Sequence, residues 1–440
     1  MASRPHILIV GGGYVGLYTA LELRKHLGRG KADVTVVDPQ PNMTYQPFLP
    51  EAAAGSIEPR HVIVPLRRTL RSCRVITGAV THLDHDAKTA SVQPAAGPAE
   101  TLSYDVVVLA VGSIARTMPI PGLAEVGVGF KTVGEAIYLR NQVLGCLDAA
   151  ASLTGTDAET TALRRRALTF TFIGGGYAGI EALAELEDLC RFAMKRYYPS
   201  LSPADMRFIL IEATGRVLPE VGLEMGAYTV RELVARGMDV RLNTRVESLT
   251  GGHVVLSDGE QYDCDTVVWT AGVKANPMLA DTGLPLDERG RLRCTAALQV
   301  EGVPDAWGAG DCCAVPDLSS STPGATCGPS AQHAVRQARQ LGKNIAAVQL
   351  GGAPTDYKHK YVGSVASLGL YKGVAQVYGI KLKGFPAWFM HRTYHMSRIP
   401  TFNRKVRVVA DWTLGLLFRR DVSTLGELQR PREAFARAND

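Results

Sequence analysis

Apolar and polar positions alternate along the chain in a repeated order: a short solid apolar run, a cluster of glycines, an amphipathic stretch, and a second apolar run that stops at an acid. Ile7 to Val10 is too short for a helix and is bounded by glycines, so it predicts a buried parallel strand. Leu17, Ala20, Leu21, Leu23 and Leu27 then supply the apolar contacts of a helix, and Val34 to Val37 form a second strand ending at Asp38. Residues 39–66 are interrupted by prolines. Residues 73–93 alternate enough for short strands around a turn near Asp84-His85-Asp86. Val106 to Leu109 is another solid run and leads to Gly112, and residues 131–150 have helical spacing through Ala136, Leu139, Val143, Leu144 and Leu147.

The opening order then returns 163 residues later. Leu168 to Ile173 precedes a second glycine cluster, a longer helical stretch runs from Glu181 to Tyr198, and Phe208 to Ile211 ends at Glu212. Residues 240–262 read as meander strands with turns at Gly251-Gly252 and Asp258-Gly259. Val267 to Gly272 echoes Val107 to Gly112. A strand from Leu298 toward Gly310-Asp311 can return to the first sheet, residues 318–329 are a loop, and residues 330–350 are helical.

The glycines turn this pattern into chemistry. Gly11, Gly13 and Gly16 have dinucleotide-fingerprint spacing: the first permits a tight turn, the second admits a pyrophosphate to the backbone, and the third lets helix and strand pack closely. The helix that follows aims free N–H groups and its positive dipole end at the phosphates. Asp38 stands where a carboxylate accepts from a ribose hydroxyl. Gly174, Gly176, Gly179 and Glu212 repeat the set, and an acid at Glu212 favours a free 2′-hydroxyl, hence NADH over NADPH. The expected fold class is α/β, with two Rossmann-like dinucleotide-binding domains. A nucleotide fold beginning at residue 6 is expected to leave no room for a cleaved signal peptide.

Composition narrows the picture. The chain has 440 residues, 46% hydrophobic and 20% charged, which suits two or three globular domains. No apolar run approaches the roughly 18 residues a spanning helix needs. The eight cysteines form no C-x-x-C pair, so neither a zinc site nor a dithiol motif is expected, and scattered buried thiols fit a reducing cytosol. The net charge of +6 is local: residues 381–420 carry nine Lys/Arg against Asp411, which leaves −2 for the rest. No nucleic-acid partner and no metal are expected.

The order Gly11-x-Gly13-x-x-Gly16, Val108 to Gly112, Gly174-x-Gly176-x-x-Gly179, Val267 to Gly272 and Ala309-Gly310-Asp311 resembles that of the two-dinucleotide-domain flavoproteins. Within them the chain is most similar to the type II NADH:quinone oxidoreductases. That likeness rests on Tyr45 to Gly55, Gly174 to Glu181, Glu212-Ala213-x-x-Arg216-Val217-Leu218-Pro219, Ala331-Gln332-His333-Ala334, and the aromatic, basic C-terminus. The resemblance implies a non-covalent FAD in a discontinuous domain of residues 1–120 and 285–355, an NADH domain of residues 121–284, and a C-terminal membrane-association and quinone-access region of residues 356–440. It implies that Asp38 holds the FAD ribose, Asp311 the ribityl chain, and Gln46 and Pro47 the neighbourhood of the isoalloxazine. Gly112 and Gly272 close the cofactor-binding strands. Glu181 would lie near the nicotinamide–flavin contact, where the plainer reading is a first-turn acid favoured by the helix dipole. Ala331 and Gln332 would lie at the flavin edge where quinone arrives; the plainer reading of Gln332 is a helix-surface amide, and His333 reads as an ordinary helix residue. NADH would give hydride to the flavin and two electrons would reach a membrane quinone, without proton pumping. Residues 39–72 contain no cysteine, which argues against a disulfide reductase, and Cys312-Cys313 are expected to be buried.

The C-terminus decides the acceptor. Phe385 to Met390 starts one amphipathic segment that Pro400 stops. In the next, Val406, Val409, Trp412 and Leu416 share a helical face, with Leu417 adjoining and Arg404, Lys405, Arg407, Arg419 and Arg420 at the margins. Aromatic and aliphatic residues bordered by cations predict a helix lying in anionic lipid headgroups through residues 385–420. A helix packed on its own protein, or on a second copy in a homodimer, is the alternative reading. The expected location is peripheral, on the cytoplasmic face of the cell membrane. The competing functions are a soluble NADH-dependent ferredoxin or rubredoxin reductase and a slow NAD(H)-binding redox sensor.

Overall fold

The computed structural model describes residues 4–28, 30–359 and 362–424. The chain divides into two compact units, one from the described residues of Met1–Thr44, Val64–Ile114 and Val273–Tyr361, the other from those of Tyr45–Ile63, Ala115–Gly272 and Val362–Asp440.

In the first unit a seven-stranded sheet runs in the order Ala306–Gly308, Val106–Leu109, His6–Val10, Asp33–Asp38, Arg74–Asp84, Thr89–Pro94, Glu100–Ser103. The first five strands are parallel, with Ile7 opposite both Val34 and Val106, and the last two turn back as an antiparallel meander. Ile7, Leu8 and Ile9 are fully buried, as a parallel strand covered on both faces requires. The helices Tyr14–Leu27 and Ala331–Gln349 pack together because a glycine sits at their crossing. A Cβ on Gly342 would stand 2.7 Å from Glu22 Cβ and 3.0 Å from the Thr19 carbonyl. The Thr19 hydroxyl donates to the Ala338 carbonyl at 3.2 Å across the same crossing. The expected long strand from Leu298 is shortened to Ala306–Gly308, since Leu298 and Asp305 both take positive φ in the turns before it. It still joins the first sheet, beside Val106–Leu109.

In the second unit a five-stranded parallel sheet has the order Gly127–Val128, Thr266–Trp269, Thr169–Ile173, Arg207–Glu212, Asp239–Leu242. Phe170 faces Phe208 in register, and their rings stack at 4.6 Å. The helix Val133–Ser152 is opened by a capping box between Thr132 and Glu135, and Tyr177–Tyr197 follows the second glycine cluster. Among the described residues no helix is long and apolar enough to cross a membrane.

The same unit holds an antiparallel sheet of Gly363–Ser367, Gly373–Val377 and Ile380–Lys383, which the sequence reading did not separate from the C-terminal region. The helix Phe385–Arg398 packs on it, with Ala387, Trp388 and His391 buried. The helix Phe402–Phe418 then leaves Val406, Val409, Leu416 and Leu417 at least 43% exposed. One member of the expected exposed face is corrected: Trp412 turns inward, and its indole N–H donates to Glu51 at 2.8 Å. Residues 425–440 of the expected C-terminal region lie outside the described residues.

Candidate functional site

Each unit builds a cradle of the same design at the C-terminal end of its central strand. In the first unit Gly11 takes φ +105°, and a Cβ on Gly16 would collide with the Gly11 carbonyl oxygen, so both positions need glycine for the turn and the helix approach. Gly13 differs: a Cβ there would meet nothing within 4 Å. The Asp38 carboxylate accepts from the Gly12 N–H at 2.6 Å and the Gln40 N–H at 2.7 Å. Burial raises its pKa, against which both backbone donors work. Gly112 takes φ +63° at the end of Val106–Leu109, with open space where a Cβ would stand. The Ser113 hydroxyl donates to Asp311 Oδ2 at 2.7 Å.

The loop carrying Asp311 is fixed by a residue the sequence reading passed over. Gln337 is buried in the helix Ala331–Gln349, and its Oε1 accepts from the Gly310 N–H at 2.7 Å. Ala331 and Gln332 form the first turn of that helix, capped by Ser330, whose hydroxyl accepts from the His333 N–H. His333 is more than a plain helix residue. Its Nδ1 lies 3.0 Å from the Tyr357 hydroxyl, and its ring packs 4.2 Å from that of His359. Cys312 and Cys313 are buried behind Asp311, their sulfurs 3.7 Å apart.

The second unit repeats the geometry. Gly174 takes φ +112°, a Cβ on Gly179 would stand 2.6 Å from Thr270 Oγ1, and a Cβ on Gly176 would meet nothing within 4 Å. Glu212 Oε2 accepts from the Gly175 N–H at 2.6 Å, the counterpart of Asp38, and Oε1 accepts from the Thr214 N–H at 2.8 Å. Gly272 ends the Thr266–Trp269 strand with φ +97°. These are glycine turns at helix N-termini with open space at Gly13 and Gly176 and a fixed carboxylate beside them, and they fit a dinucleotide each. Gln46 and Pro47 occupy a short 3-10 turn, where Gln46 Nε2 donates to the Lys131 carbonyl at 3.3 Å.

Glu181 is not a first-turn acid. Helix Tyr177–Tyr197 starts four residues earlier, and Glu181 is 6% exposed, with Oε1 accepting from the Ser367 N–H at 2.9 Å. His391 Nε2 stands 3.0 Å from the same oxygen. Burial pulls the His391 pKa down, but Glu181 and the nearby Glu51 and Glu185 carboxylates outweigh it and leave it raised. One turn on, Glu185 is fully buried, accepting from the Ser367 hydroxyl at 3.0 Å with Arg420 at 3.5 Å. Glu51 completes the group: Arg392 lies 2.8 Å from its Oε2, and the Arg392 guanidinium sits 4.3 Å and 4.9 Å from the Trp388 and Trp412 ring centres. The sequence held one clue to this cluster, the i, i+4 spacing of Glu181 and Glu185 on an otherwise apolar helix face.

Burial pushes the Glu185 pKa up to about 7, with Glu51 and Asp188 adding and Arg420 and Arg392 opposing. Between the ordinary carboxyl range and pH 7, the folded chain therefore holds a proton that the unfolded chain has released. Stability falls as pH rises through that window, by about 3 kcal/mol in all. Glu185→Gln is expected to flatten this slope and to unfold at a higher temperature than the parent at pH 8 but not at pH 5. Thermal melts at the two pH values, followed by circular dichroism, measure it.

Residues 5–347 match the family model described as pyridine nucleotide-disulphide oxidoreductase. The chain is 27% identical to the type II NADH:quinone oxidoreductase of Mycobacterium tuberculosis, over 99% of this chain and 92% of that protein. It is 29% identical to the demethylphylloquinone reductase of Synechocystis, over 93% and 96%. Its fold matches the structure of NDH2 from Plasmodium falciparum in complex with NADH, with a TM-score of 0.86 at 18% identity, over 96% of this chain and all of that one. With the family model covering residues 5–347, most of its length, the chain belongs to the pyridine nucleotide-disulphide oxidoreductase family.

Proposed function

We propose that this protein is a peripheral flavoenzyme that oxidises NADH and passes two electrons through non-covalent FAD to a membrane quinone. One observation carries the reading: the same dinucleotide cradle is built twice in a chain whose full-length relatives bear NADH:quinone oxidoreductase names. FAD, when bound, accepts hydride from NADH and delivers electrons onward.

The chain's own residues bind and orient the two dinucleotides. Residues 1–120 and 285–355 supply the FAD domain, residues 121–284 the NADH domain, and residues 356–440 the membrane-facing region. Gly11, Gly13 and Gly16 seat the FAD pyrophosphate, Asp38 its ribose, and Asp311, steadied by Ser113, its ribityl hydroxyls; Gly112 leaves room beside them. Gly174, Gly176, Gly179 and Gly272 do the same for NADH, and Glu212 accepts from its ribose hydroxyl. Gln46 and Pro47 lie by the isoalloxazine, and Ala331 and Gln332 at the edge that quinone approaches. Glu181 is the acid that the family resemblance assigns to the nicotinamide–flavin contact, and its Oε1 stands 3.0 Å from His391 Nε2 within the second unit.

Steady-state NADH oxidation by the flavin-loaded protein with a short-chain quinone tests this reading. Turnover with ferricyanide alone, at every quinone concentration, would reject it. Glu212→Arg is expected to raise the KM for NADH about tenfold or more, a loss of about 1.4 kcal/mol. An unchanged KM would remove Glu212 from the ribose site.

The membrane reading rests on the exposed face of Phe402–Phe418. Leu416, Leu417 and Phe418 are each more than 70% exposed, and Arg404 and Lys405 lie near its start. Anionic lipid on the cytoplasmic face of the cell membrane is the partner proposed for residues 385–420. Deleting the whole segment would strip Trp388 and His391 from the core, so point changes are the cleaner probe. Leu416→Glu with Leu417→Glu is expected to release the protein from sedimenting vesicles while its melting temperature holds. Sedimentation in buffer without detergent shows whether a second copy covers this face instead.

A further inference from the structure

The second unit contains a groove of about 800 Å³ that the electron-transfer reading does not use. One wall is the C-terminal end of the helix Tyr177–Tyr197, and the other is the C-terminal end of Phe402–Phe418. Its lining combines two chemistries. Phe192, Tyr371 and Leu416 give it an apolar length, and Lys195 and Arg196 stand exposed at its rim. A helix dipole favours cations at that helix end but does not call for the aromatic wall beside them.

The acids that share the lining are already engaged. Glu58 is paired with Arg60 at 2.8 Å, Asp188 with Arg236 at 2.8 Å and Asp421 with Arg140 at 3.5 Å, and Asp411 lies against His61. Lys195 and Arg196 make no ion pair among the described residues. Deeper in, Trp388 lines the groove at 7% exposure, and its indole N–H has no hydrogen-bond partner. A buried donor without an acceptor is costly, and an acceptor supplied by a ligand would satisfy it.

We propose that this groove seats one anionic phospholipid, its phosphate against Lys195 and Arg196 and its acyl chains along Phe192, Tyr371 and Leu416. The two cations choose an anionic head over a zwitterionic or neutral one, and the apolar length chooses a lipid over free phosphate. The ester carbonyls of a glycerolipid are the acceptors of the right kind for the Trp388 N–H. The proposal rests on the membrane reading for its source of lipid, and it shares Leu416 with the exposed apolar face, but it concerns a discrete site whose two cations stand on the helix Tyr177–Tyr197.

The test uses delipidated, flavin-loaded protein with short-chain phosphatidylglycerol, short-chain phosphatidylcholine, glycerol 3-phosphate and a short-chain quinone as separate probes. Melting temperature and native mass spectrometry are the readouts. One phosphatidylglycerol per chain is expected, raising the melting temperature, with the other three probes having far smaller effects. Lys195→Glu with Arg196→Glu is expected to weaken phosphatidylglycerol binding at least about tenfold while flavin content and NADH oxidation by ferricyanide stay unchanged. Should that variant fail to fold, the ranking of the four probes on the parent protein decides alone. Equal stabilisation by phosphatidylcholine or by the quinone overturns the proposal, as does binding that emerges only after residues 425–440 are removed. Sedimentation with vesicles of phosphatidylcholine and phosphatidylglycerol separates the two readings. Vesicle binding without binding of the short-chain lipid overturns the groove and spares the membrane reading; the reverse result supports the groove and removes that reading.

Discussion

Gly176→Ala is expected to give a yellow, folded protein that has lost about 100-fold in NADH turnover. The reasoning starts from the empty space at this position. Gly176 has φ −78° and ψ −177°, a conformation any residue adopts, and a Cβ there would touch nothing within 4 Å. The substitution therefore costs the chain almost nothing in strain or packing. The methyl would instead stand where the fingerprint's second glycine must admit a pyrophosphate to the backbone, and displacing the dinucleotide by about 1 Å is enough for a loss of this size. FAD retention follows because Gly176 belongs to the second unit, whereas Gly13 makes the corresponding opening in the first. Gly13→Ala is the mirror experiment, and its product is expected to be folded and colourless. The absorbance of the purified variants, with stopped-flow reduction by NADH, reads both. Normal NADH reduction in Gly176→Ala would mean that the second cradle does not hold the substrate.

Arg392→Ala is expected to destabilise the chain by about 3–5 kcal/mol. Glu51 is 1% exposed, and its Oε2 takes both Arg392 and the Trp412 N–H, while Oε1 has no hydrogen-bond partner. Removing the guanidinium leaves a buried carboxylate with one indole donor. It also empties the slot flanked by the Trp388 and Trp412 rings. The pair itself need not be a net source of stability, since its desolvation opposes its attraction. Glu51→Gln combined with Arg392→Met is therefore expected to recover most of the loss. Urea denaturation of the two variants measures both; a loss below about 1 kcal/mol for Arg392→Ala would show that the charge at Glu51 is relieved in another way.

These two expectations differ in how far the sequence alone could have reached them. The glycine cradles are local. Strand, turn, helix and acid lie within about 40 residues of one another, and each step follows from backbone sterics or from the period of the apolar pattern. Ile7 to Val10, Gly11 to Gly16 and Asp38 therefore announce the first unit's central strands, and the repeat from Leu168 to Glu212 announces the second's. The exposed apolar face of the last described helix was legible for the same reason, because Val406, Val409 and Leu416 obey one helical period.

What periodicity could not supply is the partner across the fold. It placed Trp412 with its exposed neighbours, but an acid 361 residues earlier turns it inward. It placed Glu181 at a helix start, but the helix begins four residues sooner, and the carboxylate answers to Ser367 and His391 from the C-terminal sheet and helix. It passed over Gln337, whose buried amide fixes the loop bearing Asp311. By itself the sequence determined two nucleotide cradles and an amphipathic end, because those are set by neighbours along the chain. Only the tertiary structure decided which charges are buried and which cations remain at the rim of a groove, because burial and pairing join residues hundreds of positions apart, and no local pattern records them.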